Sequence, residues 1–161
     1  MPTQPSPITP SLVLSLLFAL ALAASLLLRF WLASRQIRHV ARHRDAVPAA
    51  FAGHVSLAAH QKAADYTITK ARFGLLELAL GSAVLLGWTL LGGLDWLNGL
   101  LIDRMGGGML QQLALVGAFA LISGLIDLPV SLYQTFVIEE RFGFNKMSLK
   151  LWLADLLKST L

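Results

Sequence analysis

Hydrophobic positions in this chain come in long unbroken runs, where soluble helices and strands would alternate apolar with polar residues. Residues 11–28 contain no charged side chain. As a helix, such an eighteen-residue run rises about 27 Å, close to the ~30 Å hydrocarbon core of a bilayer. Continuing it to residue 33 places Arg29 and Trp31 at an interface, where long cations and indole rings settle. A second run covers 73–94 with one charge, Glu77, and a third covers 113–138, interrupted by Asp127 and Pro129. Pro129 removes a helix hydrogen bond and predicts a kink. Between these runs, 95–112 includes Gly106, Gly107 and Gly108 and reads as a short flexible turn. The last run, 149–161, is apolar at Leu149, Leu151, Trp152, Leu153, Leu156 and Leu157, but Lys150, Asp155 and Lys158 interrupt it. It is too short to span, so it is an interfacial helix or a fourth span cut off, and a chain stopping inside such a run reads as truncated. The pattern predicts an all-α polytopic membrane protein with three full transmembrane helices (11–33, 73–94 and 113–138), a partial one at 149–161 and a connector at 34–72.

Composition agrees. Hydrophobic residues make up 56% of the 161, and charged residues 14%. Soluble domains carry about 25% charged residues, so charge has been thinned out where lipid makes it costly. The absence of cysteine excludes disulfides, iron–sulfur clusters and thiol catalysis, and leaves His and carboxylates as the metal ligands on offer. Net charge is +4, but eight of the thirteen Lys and Arg lie between Arg29 and Arg72, beside apolar runs. That is the footprint of a membrane-facing loop, not of a nucleic-acid groove, and nucleic acid is excluded as a partner.

Charge placement also orients the chain. The 34–72 connector holds Arg35, Arg38, Arg42, Arg44, Lys62, Lys70 and Arg72, whereas the proline-rich 1–10 tail has no charged side chain and 95–112 has only Arg104 among bases. The positive-inside rule puts the connector in the cytoplasm and the N-terminus outside. Three spans return 139–150 to the cytoplasm, and its Arg141, Lys146 and Lys150 fit there. No basic region precedes the first run, which favours an uncleaved span over a signal peptide. Short loops and the lack of a targeting peptide point to a bacterial inner membrane.

Two dense polar stretches abut these spans. Residues 137–146 read V-I-E-E-R-F-G-F-N-K, with Glu139, Glu140, Arg141, Phe142, Gly143, Phe144 and Asn145 packed into one junction. Residues 60–73 read H-Q-K-A-A-D-Y-T-I-T-K-A-R-F, and Ser56 is a reasonable N-cap for a helix running from Leu57 into the second span. Both stretches resemble the type I CAAX prenyl proteases, integral-membrane zinc metallopeptidases. The first is similar to that family's E-R-F-G-F-N junction. The second is similar to its H-Q-K-A-x-x-Y-x-x-x-K-x-R-F stretch, at His60, Gln61, Lys62, Ala63, Tyr66, Lys70, Arg72 and Phe73. The resemblance covers roughly residues 55–161.

That resemblance implies a ring of membrane helices around a hollow chamber, with zinc held by H-E-x-x-H and a more distant Glu. It makes 1–161 the N-terminal transmembrane domain of a metallopeptidase, acting on a peptide or membrane-protein substrate. Zinc peptide hydrolysis needs two His one helical turn apart and a Glu between them as general base. The four His here include no H-E-x-x-H. His39 and His43 have the spacing, but Val40 stands where the Glu belongs, and Arg35, Arg38, Arg42 and Arg44 surround them. No catalytic residue and no metal ligand is therefore assigned in this chain. Zinc is expected in a C-terminal part beyond it, and the C-terminal peptidase domain becomes a partner of this segment beside the lipid bilayer.

Two acids stand inside the spans. An acid mid-membrane costs about 2.5–3.5 kcal/mol on insertion scales, so Asp127 is expected to line a water-filled chamber or pair with a neighbouring helix. Glu77 lies one turn inside the interface and is the second candidate for the chamber wall. In the 139–146 junction, Arg141 is expected to pair with Glu139 or Glu140, Phe142 and Phe144 to anchor at the interface, and Gly143 to turn the chain. A docking role there is favoured over direct contact with substrate. The rival readings are a non-catalytic membrane scaffold or interaction protein, and a transporter subunit using Asp127 and Glu77 as a polar path.

Overall fold

A computed structural model describes residues 9–160. Its elements are α1 (Pro10–Arg42), a single 3-10 turn (Ala49–Phe51), α2 (Leu57–Thr89), α3 (Gly93–Met105), α4 (Met109–Tyr133), a π-helical continuation (Gln134–Glu139) and α5 (Leu149–Thr160). There is no strand among the described residues. Three helices are long and apolar enough to cross a membrane: Pro10–Arg42, Leu57–Thr89 and Met109–Glu139. The expected all-α, three-span architecture is the one observed.

Local chemistry explains most boundaries. Pro10 sits in the first turn of α1, where its missing N–H costs nothing. The Ser56 hydroxyl accepts the Ala59 N–H at 3.2 Å and caps α2. The helix then runs without a break from the polar connector into the apolar span, as expected. The first helix is longer than expected, because it continues from the apolar run through the basic stretch to Arg42 instead of ending near residue 33. Arg, Gln and Ala between residues 33 and 42 are good helix formers, and nothing there breaks the hydrogen-bond ladder.

Residues 95–112 are not a flexible turn. They hold most of α3, whose Leu97 is 4% exposed. The second span stops at Thr89, short of 94, because Gly92 adopts φ 78° and the chain doubles back. The return is tight: a Cβ on Gly93 would lie 2.7 Å from the Gly87 carbonyl oxygen. The helix was hidden from sequence reading because Gly93, Gly99 and the Gly106–Gly108 run read as turn signals. Gln111 Nε2 on α4 donates to the side-chain Oδ1 of Asn98 on α3 at 2.6 Å, and Gln111 is 6% exposed. The expected glycine turn is confined to Gly106–Gly108, where Gly106 and Gly108 have φ 72° and 144°.

Helix α1 packs along α2, and α3 packs on α4. Trp88 of α2 meets Phe119 of α4 edge-on at 5.2 Å. Few residues are buried, chiefly Ala64, Ser82, Leu97, Gln111, Ile138 and Phe142. A membrane protein needs no water-excluding core of its own, since lipid is as apolar as its leucines. Helix α4 continues through Pro129, and five residues later its register widens to π. A π turn closes i→i+5 bonds and so holds about one residue more than an α turn. Every side chain after it is rotated relative to α-helical continuation, and that rotation aims the junction.

Candidate functional site at the junction of two motifs

The two sequence motifs, about seventy residues apart in the chain, meet in space. Lys62, Tyr66, Lys70 and Phe73 recur at helical spacing and form one stripe along α2. Against that stripe lies the turn after the π segment. The Tyr66 ring stands 5.3 Å from Phe142, edge-on, and 4.7 Å from Phe144. Phe142 is buried and Phe144 exposed, so one ring anchors the turn and the other covers it. Phe73 stacks on Tyr133 at 5.4 Å. The Lys62 ammonium lies 5.8 Å over the Phe144 ring.

The turn itself is a Schellman C-cap. Gly143 has φ 74°, its N–H donates to the Glu140 carbonyl at 2.9 Å, and the Phe144 N–H donates to the Glu139 carbonyl at 2.9 Å. Asn145 closes it by donating to the Glu140 carboxylate at 3.0 Å and accepting the Met147 N–H at 2.7 Å. Arg141 pairs with neither Glu139 nor Glu140, which corrects the expectation. Glu140 is held by Asn145, while Glu139 is turned toward Lys70, 3.7 Å away on α2. The Arg141 guanidinium instead stands 5.8 Å from the Phe142 ring, and its charge helps to lower the Asp65 carboxyl. The Lys70 ammonium also donates to the Tyr66 hydroxyl at 3.1 Å. It is held above the usual lysine range, first by that hydroxyl and then by Glu139, against the pull of partial burial. Arg72 is exposed and has no ion-pair partner among the described residues.

A different side of α2 clamps the end of α1. Arg44 donates to both oxygens of Asp65, Nε to Oδ1 at 2.7 Å and Nη2 to Oδ2 at 2.9 Å. This fork-to-fork pairing is the strongest geometry an ion pair offers. It holds the Asp65 carboxyl below, and the Arg44 guanidinium above, their usual ranges. Gln61 donates to Asp45 at 2.9 Å, and His60 Nε2 donates to the His43 carbonyl at 2.9 Å. These bonds satisfy carbonyl and carboxylate groups where α1 ends and its own ladder stops. Sequence reading singled out His60 and Gln61 but missed Arg44, Asp45 and Asp65. One signal was available: Asp65 is the sole acid from residue 46 to residue 72.

The intramembrane acids converge. Glu77, Asp127, Ser131 and Gln134 line one pocket of 170 Å³ between α2 and α4. Asp127 and Ser131 also face a larger cleft of 450 Å³, closed on its other side by Met147, Trp152 and Asp155. Asp155, treated in the sequence as an interruption of the last run, thus shares a cleft with Asp127.

His39, His43 and His60 line one small pocket, where His43 Nδ1 donates to the His39 carbonyl at 2.8 Å and His60 Nε2 to the His43 carbonyl at 2.9 Å. No group of three or more His, Cys, Asp or Glu among the described residues is placed to hold a metal ion.

The family model described as CAAX prenyl protease N-terminal, five membrane helices, matches residues 36–161. CAAX prenyl protease 1 of Saccharomyces cerevisiae is 49% identical over 49 residues, which is 30% of this chain and 11% of the yeast protein. The probable CAAX prenyl protease 1 of Schizosaccharomyces pombe is 32% identical over 141 residues, covering 80% of this chain and 29% of its own. The human CAAX prenyl protease 1 homolog is 32% identical over 139 residues, with 80% and 28% covered. The crystal structure of S. mikatae Ste24p superposes with a TM-score of 0.72 at 27% identity, covering 86% of this chain and 33% of that one. The chain thus spans less than a third of the length of the curated relatives it matches. With its helices following about a third of the Ste24p fold and most of its length fitting the family model, the chain belongs to the CAAX prenyl protease family and corresponds to its N-terminal membrane part.

Proposed function

We propose that this chain is the membrane-embedded N-terminal part of a zinc-dependent endopeptidase, and that it supplies anchorage and part of a chamber wall. One observation carries the reading. The two stretches that resemble the family are bolted to each other, by Tyr66 with Phe142 and Phe144 and by Lys70 with Glu139, at the end of a span. Such a joint fixes how the third span leaves the bilayer, and hence where whatever follows begins. Zinc and peptide hydrolysis belong to a peptidase part outside this chain, since the four His here include no H-E-x-x-H. The pocket shared by Glu77 and Asp127 supports a chamber-lining role for both, because acids at membrane depth are stable only beside water or a partner. A peptide or membrane protein is the substrate class.

The charge distribution supports an N-terminus outside and the 34–72 connector in the cytoplasm, with Lys70, Arg141 and Glu139 on that side. The short loops favour a bacterial inner membrane, whereas the relatives named above are eukaryotic.

The test is the protein that contains this chain, purified from its own membrane. Stoichiometric zinc, and cleavage of a model peptide that stops on chelation and returns with zinc, would support the reading. A protein free of zinc and inert toward prenylated and unprenylated peptides alike would leave a membrane scaffold.

A further inference from the structure

Helix α1 does not stop at the membrane surface, and this continuity lays out its arginines in a way the sequence alone does not. At about 100° per residue, Trp31, Arg35, Arg38 and Arg42 fall within one narrow stripe of a single helix. All four are exposed, and the Arg35 guanidinium lies 4.9 Å over the Trp31 ring. Below them the same side of the helix carries Leu20, Leu27 and Leu28, which are 66%, 73% and 56% exposed. Val40 and His43, roughly a quarter to nearly half a turn round the helix from the arginines, face α2. None of the three arginines has an acid within ion-pair distance among the described residues. Arg44 makes the contrast: two residues beyond Arg42 the chain has left the helix, and Arg44 is spent on Asp65.

We infer that Arg35, Arg38 and Arg42 bind the headgroup phosphates of anionic phospholipid in the leaflet that α1 leaves. The leucine stripe sets the side from which lipid approaches, Trp31 marks the depth of the headgroups, and the arginines stand directly above on that side. Guanidinium groups match phosphate oxygens in forked geometry, and each base near an anionic surface is attracted to it. Three such groups without a protein partner complement the charge of a lipid that carries net negative charge, and not that of a zwitterionic one.

The experiment uses the full protein in detergent, with bound lipid counted by native mass spectrometry as phosphatidylglycerol or phosphatidylcholine is added. The wild type is expected to retain phosphatidylglycerol well above phosphatidylcholine, and increasingly so at low salt. Affinity for it should fall roughly fivefold for each arginine removed, the fold-change equivalent to ~1 kcal/mol, and so on the order of a hundredfold in R35Q/R38Q/R42Q. R35K/R38K/R42K should keep most of the preference, which a merely structural role for the arginines would not predict. Inorganic phosphate at matched concentration should not displace the lipid. Equal retention of the two lipids by the wild type, which requires no variant to fold, would overturn the inference. So would displacement by phosphate alone, or an unchanged count in the triple Gln variant, the result expected if an acidic segment of the longer protein covers this stripe.

Discussion

Arg44 grips Asp65 through two parallel hydrogen bonds of 2.7 and 2.9 Å, tying the end of the first span to the helix that leads into the second. Both side chains are partly exposed, at 35% and 44%, so solvent screens the pair and its contribution is modest. Its pH dependence is nonetheless diagnostic. The folded state holds the Asp65 carboxyl below its ordinary value of 3.8. The clamp is therefore at full strength above that value and is lost as pH falls through the lower folded-state value. Thermal unfolding in detergent should show wild type above D65N by a few degrees at neutral pH, with the gap closing in acid. A gap independent of pH would mean that the pair is not ionic.

Gly143 is required by backbone conformation and not by space. Its φ is 74°, and a Cβ there would meet only the Lys62 ammonium, at 3.7 Å. Gly143→Ala should cost about 1 kcal/mol, and Gly143→Asn less, because Asn tolerates the left-handed region. Equal losses for the two, read from unfolding midpoints, would count against the Schellman turn.

Tyr66 joins the motifs by its ring more than by its hydroxyl. Tyr66→Phe loses one hydrogen bond from Lys70 and should cost less than ~1 kcal/mol. Tyr66→Ala loses both ring contacts and should cost roughly 2–3 kcal/mol. If the two variants unfold together, the aromatic joint does not hold the turn.

The hairpin between α2 and α3 gives a steric comparison within one helix. A Cβ at Gly93 would lie 2.7 Å from a backbone oxygen, whereas nothing lies within 4 Å of one at Gly99. Gly93→Ala should destabilise by about 1–3 kcal/mol, and Gly99→Ala should be neutral or stabilising by up to ~1 kcal/mol. Matching melting temperatures for the two would show that the return is not tight.

Asp127 lies within the third span and shares its pocket with Glu77. In the full protein, Asp127→Asn should preserve folded yield and slow peptide turnover, as expected of a residue that touches chamber water. Unchanged yield and unchanged turnover together would remove both the chamber role and a structural one.

Much of this was legible in the chain because its causes are local. Eighteen uncharged residues in a row, fifteen of them apolar, need no partner to declare a span, Ser56 caps a helix through a bond three residues away, and Gly143 takes a conformation that side chains resist. The two family-like stretches could be read as strings for the same reason. What they do to each other could not. A π segment of six residues, silent in the hydrophobic pattern, ends at Glu139, whose carboxylate lies 3.7 Å from the Lys70 ammonium. The sequence held Asp65 as a lone acid, but a pairing across 21 residues depends on how α1 and α2 cross. Helix α3 was missed because its stability comes from Leu97 and Asn98 against α4, not from its own periodicity. Spans, caps and turns follow from neighbours along the chain; the meeting of the motifs, the clamp on α1 and the shared pocket of Glu77 and Asp127 follow only from neighbours in space.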